Sequence, residues 1–177
     1  MIRLFVALTL PDKVADGLLA IEYGVPGARW SVRDQLHLTL RFVGEVDERD
    51  ASAVDEALAA ISVPSFTLEL KGVGAFGGKS PRALWAGVVP NDALMHLQRK
   101  IESAIQRLGL PAEERKFTPH VTLARLRAAP AGRVMDFLAD HSLYASGAFQ
   151  MAQFVLFSSR LTSNGSIYVA ERAYALV

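Results

Sequence analysis

The sequence predicts an α+β fold made of two similar lobes with a cleft between them. Three observations support this: HLTL at 37–40 returns as HVTL at 120–123, RLFVALTLP returns as RALWAGVVP, and each apolar run precedes a helical pattern. Repeats of this kind indicate that one structural unit occurs twice. We therefore predict one bilobal domain over residues 1–177, with two interleaved α+β repeats at about 1–80 and 81–177 related by a pseudo-two-fold axis.

The first repeat opens with an apolar, β-type run at Arg3–Pro11. Proline cannot donate to a sheet ladder but fits the first turn of a helix, so a strand is expected to end and a helix to begin here. The apolar residues that indicate this helix are Val14, Leu18, Leu19 and Ile21. The HLTL strand follows, then a predicted helix around Glu48–Ile61 and a strand at Phe66–Leu70.

The second repeat follows the same order from Arg82–Pro90 onward, and its helix is the clearer of the two. Asn91 is a plausible N-cap, and Gly109 ends the pattern. Between them, apolar residues recur at three- and four-residue steps: Leu94, Leu97, Ile101, Ala104, Ile105 and Leu108. After HVTL we expect a helix around Ala131–Leu143 and two strands joined by a turn at Asn164–Gly165. Hairpins mixed with helices favour an antiparallel sheet in each lobe.

Composition excludes several classes of protein. A net charge of +1 is too small to coat a long nucleic acid, and the absence of cysteine excludes disulfides, thiol nucleophiles and Cys-ligated metals. The N-terminal segment is interpreted as a first strand rather than a signal peptide, and no apolar run is long enough to span a membrane. We expect a cytoplasmic monomer that does not contact membranes.

The repeated histidine motif has the geometry of a reaction centre. In a strand, residues i and i+2 share a face, so His37 and Thr39 point one way, as do His120 and Thr122. If the aliphatic neighbours face the core, all four polar side chains face the space between the lobes. Histidine can exchange a proton near neutrality, and a pair can divide the roles of acid and base.

Two histidines with two hydroxyl groups suit in-line attack on phosphorus without a metal ion. The competing interpretation is that both histidines are structural remnants of a duplicated core. His96 and His141 lack the flanking pattern and serve as internal comparisons, and both are expected to be solvated. No spaced cluster of histidines and carboxylates predicts a metal site.

The chain resembles the two-histidine phosphoesterase superfamily in the apolar run RLFVALTLP, in the motifs HLTL and HVTL, and in the segments GAFGGKSPRALWAGV and LFSSRLTSNGSIYVAERAYAL. More specifically, these segments resemble the RNA 2′,3′-cyclic phosphodiesterases once named bacterial 2′-5′ RNA ligases. The resemblance implies a bilobal fold and hydrolysis of RNA 2′,3′-cyclic phosphate ends to 2′-phosphomonoesters, without metal or cofactor. Reversible 2′-5′ ligation is a further implied activity.

The resemblance also implies a role for each motif residue. His37 would donate a proton to the leaving 3′ oxygen, His120 would activate water, and Thr39 and Thr122 would hold the non-bridging oxygens. The site is nearly symmetric, so the reverse assignment of acid and base stays open.

Three further residues are expected to contact substrate. Phe42 and Arg125 each lie five residues after a histidine and match substrate-contacting family positions, whereas Phe76 lies in a Gly-rich loop and could stack on a base. Strand alternation would turn Phe42 and Arg125 away from the histidines, so a bulge or a strand end must re-aim them. Otherwise Phe42 is core, Arg125 is a surface charge and Phe76 anchors its loop. Four cations could give the cleft a positive field: Lys79, Arg82, Arg115 and Lys116.

Two other functions remain open from the sequence. One is a phosphodiesterase of the same chemistry that acts on small cyclic nucleotides. The other is a non-catalytic module that binds RNA ends, although retention of both histidines and both threonines argues against it.

Overall fold

The computed structural model describes all 177 residues. The strands are β1 (Ile2–Thr9), β2 (Ala28–Trp30), β3 (His37–Val46), β4 (Phe66–Phe76), β5 (Ala83–Val88), β6 (His120–Leu126), β7 (Ala145–Met151), β8 (Gln153–Thr162) and β9 (Gly165–Ala175). The helices are α1 (Asp12–Leu19), α2 (Glu48–Ala59), α3 (Asp92–Arg107) and α4 (Ala131–Asp140), with one turn of 3₁₀ helix at Arg33–Gln35.

All nine strands form one antiparallel sheet in the order β7-β4-β5-β6-β3-β1-β8-β9, with β2 paired to β6 beside this path. The predicted α+β class is confirmed. In place of a separate sheet in each lobe, the structure has one sheet whose two halves meet where Leu38 on β3 lies opposite Val121 on β6. The middle of the sheet therefore carries both repeated motifs.

Strand alternation gives the sheet two different faces. On β1, Leu4, Val6 and Leu8 point into the main hydrophobic core, to which all four helices contribute buried side chains. The opposite face of the same region carries a smaller buried cluster of Phe5, Ala7, Val155 and Phe157. Because the helices cover only the first face, the second is left for a binding site.

The halves of the sheet do not coincide with the halves of the sequence. β4, from the first predicted repeat, pairs with β5 and β7, whereas β8, from the second, pairs with β1. Each half of the sheet is therefore built from both predicted repeats. That the repeats superpose stays a prediction.

Helix capping follows the sequence signals. The Asn91 side chain accepts a hydrogen bond from the Leu94 N–H at 2.9 Å, as its predicted N-cap role requires. Asp47 caps α2 in the same way, accepting from the Asp50 N–H at 2.8 Å. Caps of this type stabilise a helix by about 1 kcal/mol. The helix bounds differ from the predicted ones by a few residues at the C-terminal ends.

The short strand β2 was not predicted. It lies beside β6 where β3 separates from it, and the Ser31 N–H and hydroxyl continue the contact by donating to the carbonyl oxygens of Leu123 (2.8 Å) and Thr122 (3.0 Å). Trp30 anchors β2 in the core, 5.7 Å from the Phe137 ring. No helix has the length and apolar character required to span a bilayer.

Candidate active site

The two repeated motifs lie side by side on the central strands. Because Leu38 is opposite Val121 in an antiparallel pair, the register places His37 opposite Thr122 and His120 opposite Thr39. Leu38 and Val121 are fully buried in the core, so the four polar side chains share the opposite face. His37 and His120 are therefore diagonal neighbours across the two strands. In a regular ladder, diagonal neighbours are about 7–8 Å apart, so two imidazoles at these positions can contact one phosphate.

Each histidine ring is oriented by a backbone carbonyl two residues earlier. His120 Nδ1 lies 2.7 Å from the Thr118 oxygen, and a ring N–H of His37 donates to the Gln35 carbonyl. A carbonyl can only accept, so the ring nitrogen in each bond must carry the proton. In the neutral tautomer, the second nitrogen of each ring is therefore left as an acceptor.

Aromatic side chains enclose His37. The ring centroids of Phe5, Tyr168 and Phe157 lie 5.0, 5.4 and 6.2 Å from that of His37. The pKa of His37 is lowered from its ordinary value of 6.5 to about 4, mainly by burial, and charge repulsion from a protonated His120 acts in the same direction. The hydrogen bond to Gln35 acts in the opposite direction but does not restore the pKa. His37 is thus neutral near pH 7 in the free protein.

The surroundings of His120 are different. Phe76, the last residue of β4, makes an edge contact with His120 at 5.0 Å and lies 5.5 Å from Trp85. Trp85 is opposite Thr122 on β5. Its indole fills the space above Gly74, where an added Cβ would lie 2.2 Å from the ring. Gly74 is therefore required for Trp85 to lie beside the site.

Of the two predicted possibilities, a bulge or a strand end, the structure has a bulge in both strands. The β1–β3 register shifts between Ala7↔Thr39 and Val6↔Arg41, and the β5–β6 register shifts between Trp85↔Thr122 and Leu84↔Ala124. Each shift leaves two consecutive buried residues after the motif threonine, Leu40 and Arg41 in β3 and Leu123 and Ala124 in β6.

One extra residue reverses the strand alternation. Phe42 and Arg125 are consequently exposed on the histidine face rather than in the core. Phe42 is 52% exposed, and its ring centroid lies 6.0 Å from that of Phe5. The alternative in which Phe42 is a core residue is therefore wrong.

A buried arginine stabilises the bulge in β3. Arg41 pairs with the carboxylate of Glu102 on α3 and donates to the carbonyl oxygens of Phe42 and Pro111. Burial alone would raise the pKa of Glu102, but hydrogen bonds from Gln106, the Glu113 N–H and Arg41 lower it below the usual value. Arg41 thus ties the strand that carries His37 to the helix layer.

The other residues named in the sequence analysis are four cations and two further histidines. Lys79, Arg82 and Lys116 are exposed, and Arg115 pairs with Glu113 at 3.5 Å. His96 is exposed on α3, as expected. His141 is partly exposed at the end of α4, and its ring packs 4.7 Å from Phe137 and 5.8 Å from Tyr23. No group of three or more His, Cys, Asp or Glu side chains is arranged to hold a metal ion.

Sequence reasoning missed the residues that surround the motifs. These are Phe5, Phe157 and Tyr168 beside His37, Trp85 beside Thr122, and Arg29 on β2. Phe5 and Trp85 lie within the repeated apolar runs, where alternation alone does not show which face they occupy. Tyr168 is brought to the site by the pairing of β8 with β1, for which the sequence carries no local signal.

Comparison with known proteins gives a consistent family relationship. A family model described as the 2′-5′ RNA ligase superfamily matches residues 11–159. The RNA 2′,3′-cyclic phosphodiesterase of Thermotoga maritima is 37% identical over 145 residues, covering 80% of this chain and 76% of the relative. That of Archaeoglobus fulgidus is 31% identical and covers 97% and 99%. The crystal structure of E. coli LigT complexed with 3′-AMP superposes with a TM-score of 0.81 at 27% identity, covering 99% and 98%.

Proposed function

The chain belongs to the 2′-5′ RNA ligase superfamily, and on that basis we propose that it hydrolyses RNA 2′,3′-cyclic phosphate ends to 2′-phosphomonoesters. The observation that carries this proposal is the cross-strand placement of His37 opposite Thr122 and His120 opposite Thr39. Relatives that share this family bear the name RNA 2′,3′-cyclic phosphodiesterase, which supports the choice of substrate.

The proposed reaction consists of one in-line displacement at phosphorus. His120, whose ring is held by its Nδ1–H bond to the Thr118 carbonyl, takes a proton from water through its other nitrogen. The water oxygen bonds to phosphorus while the bond from phosphorus to O3′ breaks. His37 gives a proton to O3′, leaving a 3′ hydroxyl and a 2′-phosphomonoester. Thr39 and Thr122 donate hydroxyl hydrogen bonds to the non-bridging oxygens as these gain charge.

The neutral state of His37 adds a requirement to this scheme. With a pKa of about 4, the ring is not protonated at pH 7 until an anion is nearby. A bound cyclic phosphate supplies a negative charge beside the imidazole and raises its pKa. His37 therefore takes up a proton when substrate binds and becomes the acid of the reaction. The proton uptake should be measurable when 2′-AMP, a product analogue, is titrated into weakly buffered protein.

We also propose substrate contacts for Phe42, Phe76 and Arg125. Phe76 contacts His120, and Phe42 lies beside Phe5, which packs on His37, so both rings offer faces on which a base or ribose could stack. The exposure of Arg125 on the histidine face supports a role in attracting the negatively charged RNA end. We assign no metal or cofactor to the reaction, so activity should be undiminished in a strong chelator. Loss of activity that a divalent ion restores would overturn this assignment.

The decisive experiment is product analysis on an oligonucleotide that ends in a 2′,3′-cyclic phosphate. The ³¹P spectrum of the product should show a 2′-phosphomonoester for the wild type. His120→Ala should lose at least about a thousandfold in kcat, because base catalysis and substrate positioning both depend on it. His96→Ala, an exposed histidine on α3, is the matched control and should retain wild-type turnover. A 3′-phosphate product, or normal turnover by His120→Ala, would overturn the proposal.

A further inference from the structure

Two arginines lie directly opposite one another at the edge of the histidine face. Arg29 on β2 pairs with Arg125 on β6, and Trp30 pairs with Ala124 beside them. Since Trp30 and Ala124 face the core, the alternation of both strands turns Arg29 and Arg125 to the other side. Arg29 thus shares the face of His120 and Thr122.

Neither arginine has an acidic partner. Arg29 and Arg125 are both exposed, and neither forms an ion pair or a side-chain hydrogen bond with another residue. Like charges directly opposite in an antiparallel pair destabilise a sheet, so this arrangement favours binding of an anion between them. From this juxtaposition we propose that Arg29 and Arg125 form a second phosphate subsite beside the reaction centre.

The spacing along β6 indicates which phosphate this subsite binds. Thr122 and Arg125 are three residues apart, and the bulge between them shortens the separation to about 7 Å. This is similar to the distance between the two phosphates of one nucleotide within an RNA strand. The inference rests on the proposed function: with the cyclic phosphate at the histidines, the subsite binds the phosphodiester on the 5′ side of the same nucleotide.

Arg29 is held by contacts that come from both halves of the sheet. Trp30 fixes β2 in the core, and an added Cβ at Gly165 would lie 2.8 Å from Arg29 Nη2. Gly165 begins β9 with φ +115°, and the adjoining Ser166 carbonyl accepts a hydrogen bond from Gln35 at 3.2 Å. The β8–β9 hairpin therefore restricts the guanidinium of Arg29 from the far side.

The subsite predicts a preference for RNA ends over free cyclic mononucleotides, which lack a 5′ phosphodiester. The test compares adenosine 2′,3′-cyclic phosphate with the same compound carrying a 5′-methylphosphate, which adds one charge and no second base. We expect wild-type kcat/KM to be about tenfold higher for the methylphosphate compound, a typical effect of one charge-assisted contact.

The variants separate a subsite from a structural role. Arg29→Gln should reduce the tenfold ratio to within about twofold of unity, and Arg29→Lys should keep part of it. Arg99→Gln, which removes an exposed arginine on α3, should keep the wild-type ratio. If Arg29→Gln keeps the wild-type ratio of kcat/KM values, even with an equal loss of kcat/KM on both substrates, the inference is wrong. It is also wrong if the wild type does not prefer the methylphosphate compound.

A binding measurement tests the subsite independently of turnover. By calorimetry, adenosine 2′,5′-bisphosphate should bind the wild type about tenfold more tightly than adenosine 2′-phosphate, and Arg29→Gln should remove most of this difference. If no cyclic phosphate is hydrolysed but the difference in binding is present, the proposed function fails and the subsite stands. If hydrolysis occurs and the two ligands bind equally, the subsite fails and the function stands.

Discussion

Replacement of His37 by glutamine should change how stability depends on pH. The folded protein keeps His37 neutral down to about pH 4, whereas the unfolded chain binds a proton near pH 6.5. Between these values the unfolded state holds more protons, so the free energy of unfolding of the wild type falls as the pH falls. His37→Gln has no titrating group here and should lack this part of the fall.

The size of the effect follows from the change in pKa. A pKa lowered from 6.5 to about 4 corresponds to about 3 kcal/mol, since each pKa unit is worth about 1.4 kcal/mol. Urea unfolding followed by tryptophan fluorescence at pH 7, 6, 5 and 4 measures it. The wild type should lose about 3 kcal/mol more than His37→Gln across this range.

The comparison with the variant is necessary because carboxylates titrate in the same range in both proteins. His96→Gln removes an exposed histidine and should follow the wild-type curve. Parallel curves for wild type and His37→Gln would show that the aromatic enclosure by Phe5, Phe157 and Tyr168 does not exclude the charged imidazole. The proposed uptake of a proton on substrate binding would then lose its physical basis.

Three further substitutions test other parts of the structure. Burial raises the pKa of Glu22 from 4.5 to about 7, and its Oε1 has no hydrogen-bond partner, so the free energy of unfolding of the wild type falls as the pH rises from 4.5 to 7. At pH 8, Glu22→Gln should therefore be more stable than the wild type in urea unfolding, by about 1 kcal/mol after solvent screening. Arg41→Ala leaves the Glu102 carboxylate without its charge partner and should lower the free energy of unfolding by about 3–5 kcal/mol; a loss below 1 kcal/mol would contradict a structural role for this pair. Gly74→Ala places a methyl group against Trp85 and should destabilise the protein by about 1–3 kcal/mol, seen as a lower midpoint in urea; a wild-type midpoint would show that the indole can move away at no cost.

Local sequence signals predicted most of the secondary structure and the central pair of strands. The helix at Asp92–Arg107 follows from its apolar spacing and the Asn91 cap, both of which depend on neighbouring residues alone. The shared face of His37 and Thr39 follows from the two-residue period of a strand. The same period gave the wrong side for Phe42 until a bulge was assumed, because one extra residue reverses every side chain that follows.

The features that the sequence did not predict all depend on contacts between distant segments of the chain. β2 is only three residues long and exists because β6 offers an unpaired edge where β3 turns away, so its sequence carries no strand pattern of its own. Arg29 therefore gave no signal of its position opposite Arg125. The sequence also did not indicate that β4 and β8 exchange places between the two halves of the sheet, since local periodicity does not specify which strands pair.

That exchange has a consequence for the chemistry. The motifs around His37 and His120 are alike, but the strands beside them are not: β1, β8 and β9 surround His37 with aromatic rings, whereas β4 and β5 place Phe76 and Trp85 beside His120 and Thr122. Titratable groups placed in different environments can take different roles in acid–base catalysis. A nearly symmetric pair of motifs can thus give one proton acceptor and one proton donor, because the neighbouring strands, rather than the motifs themselves, set the environment of each ring.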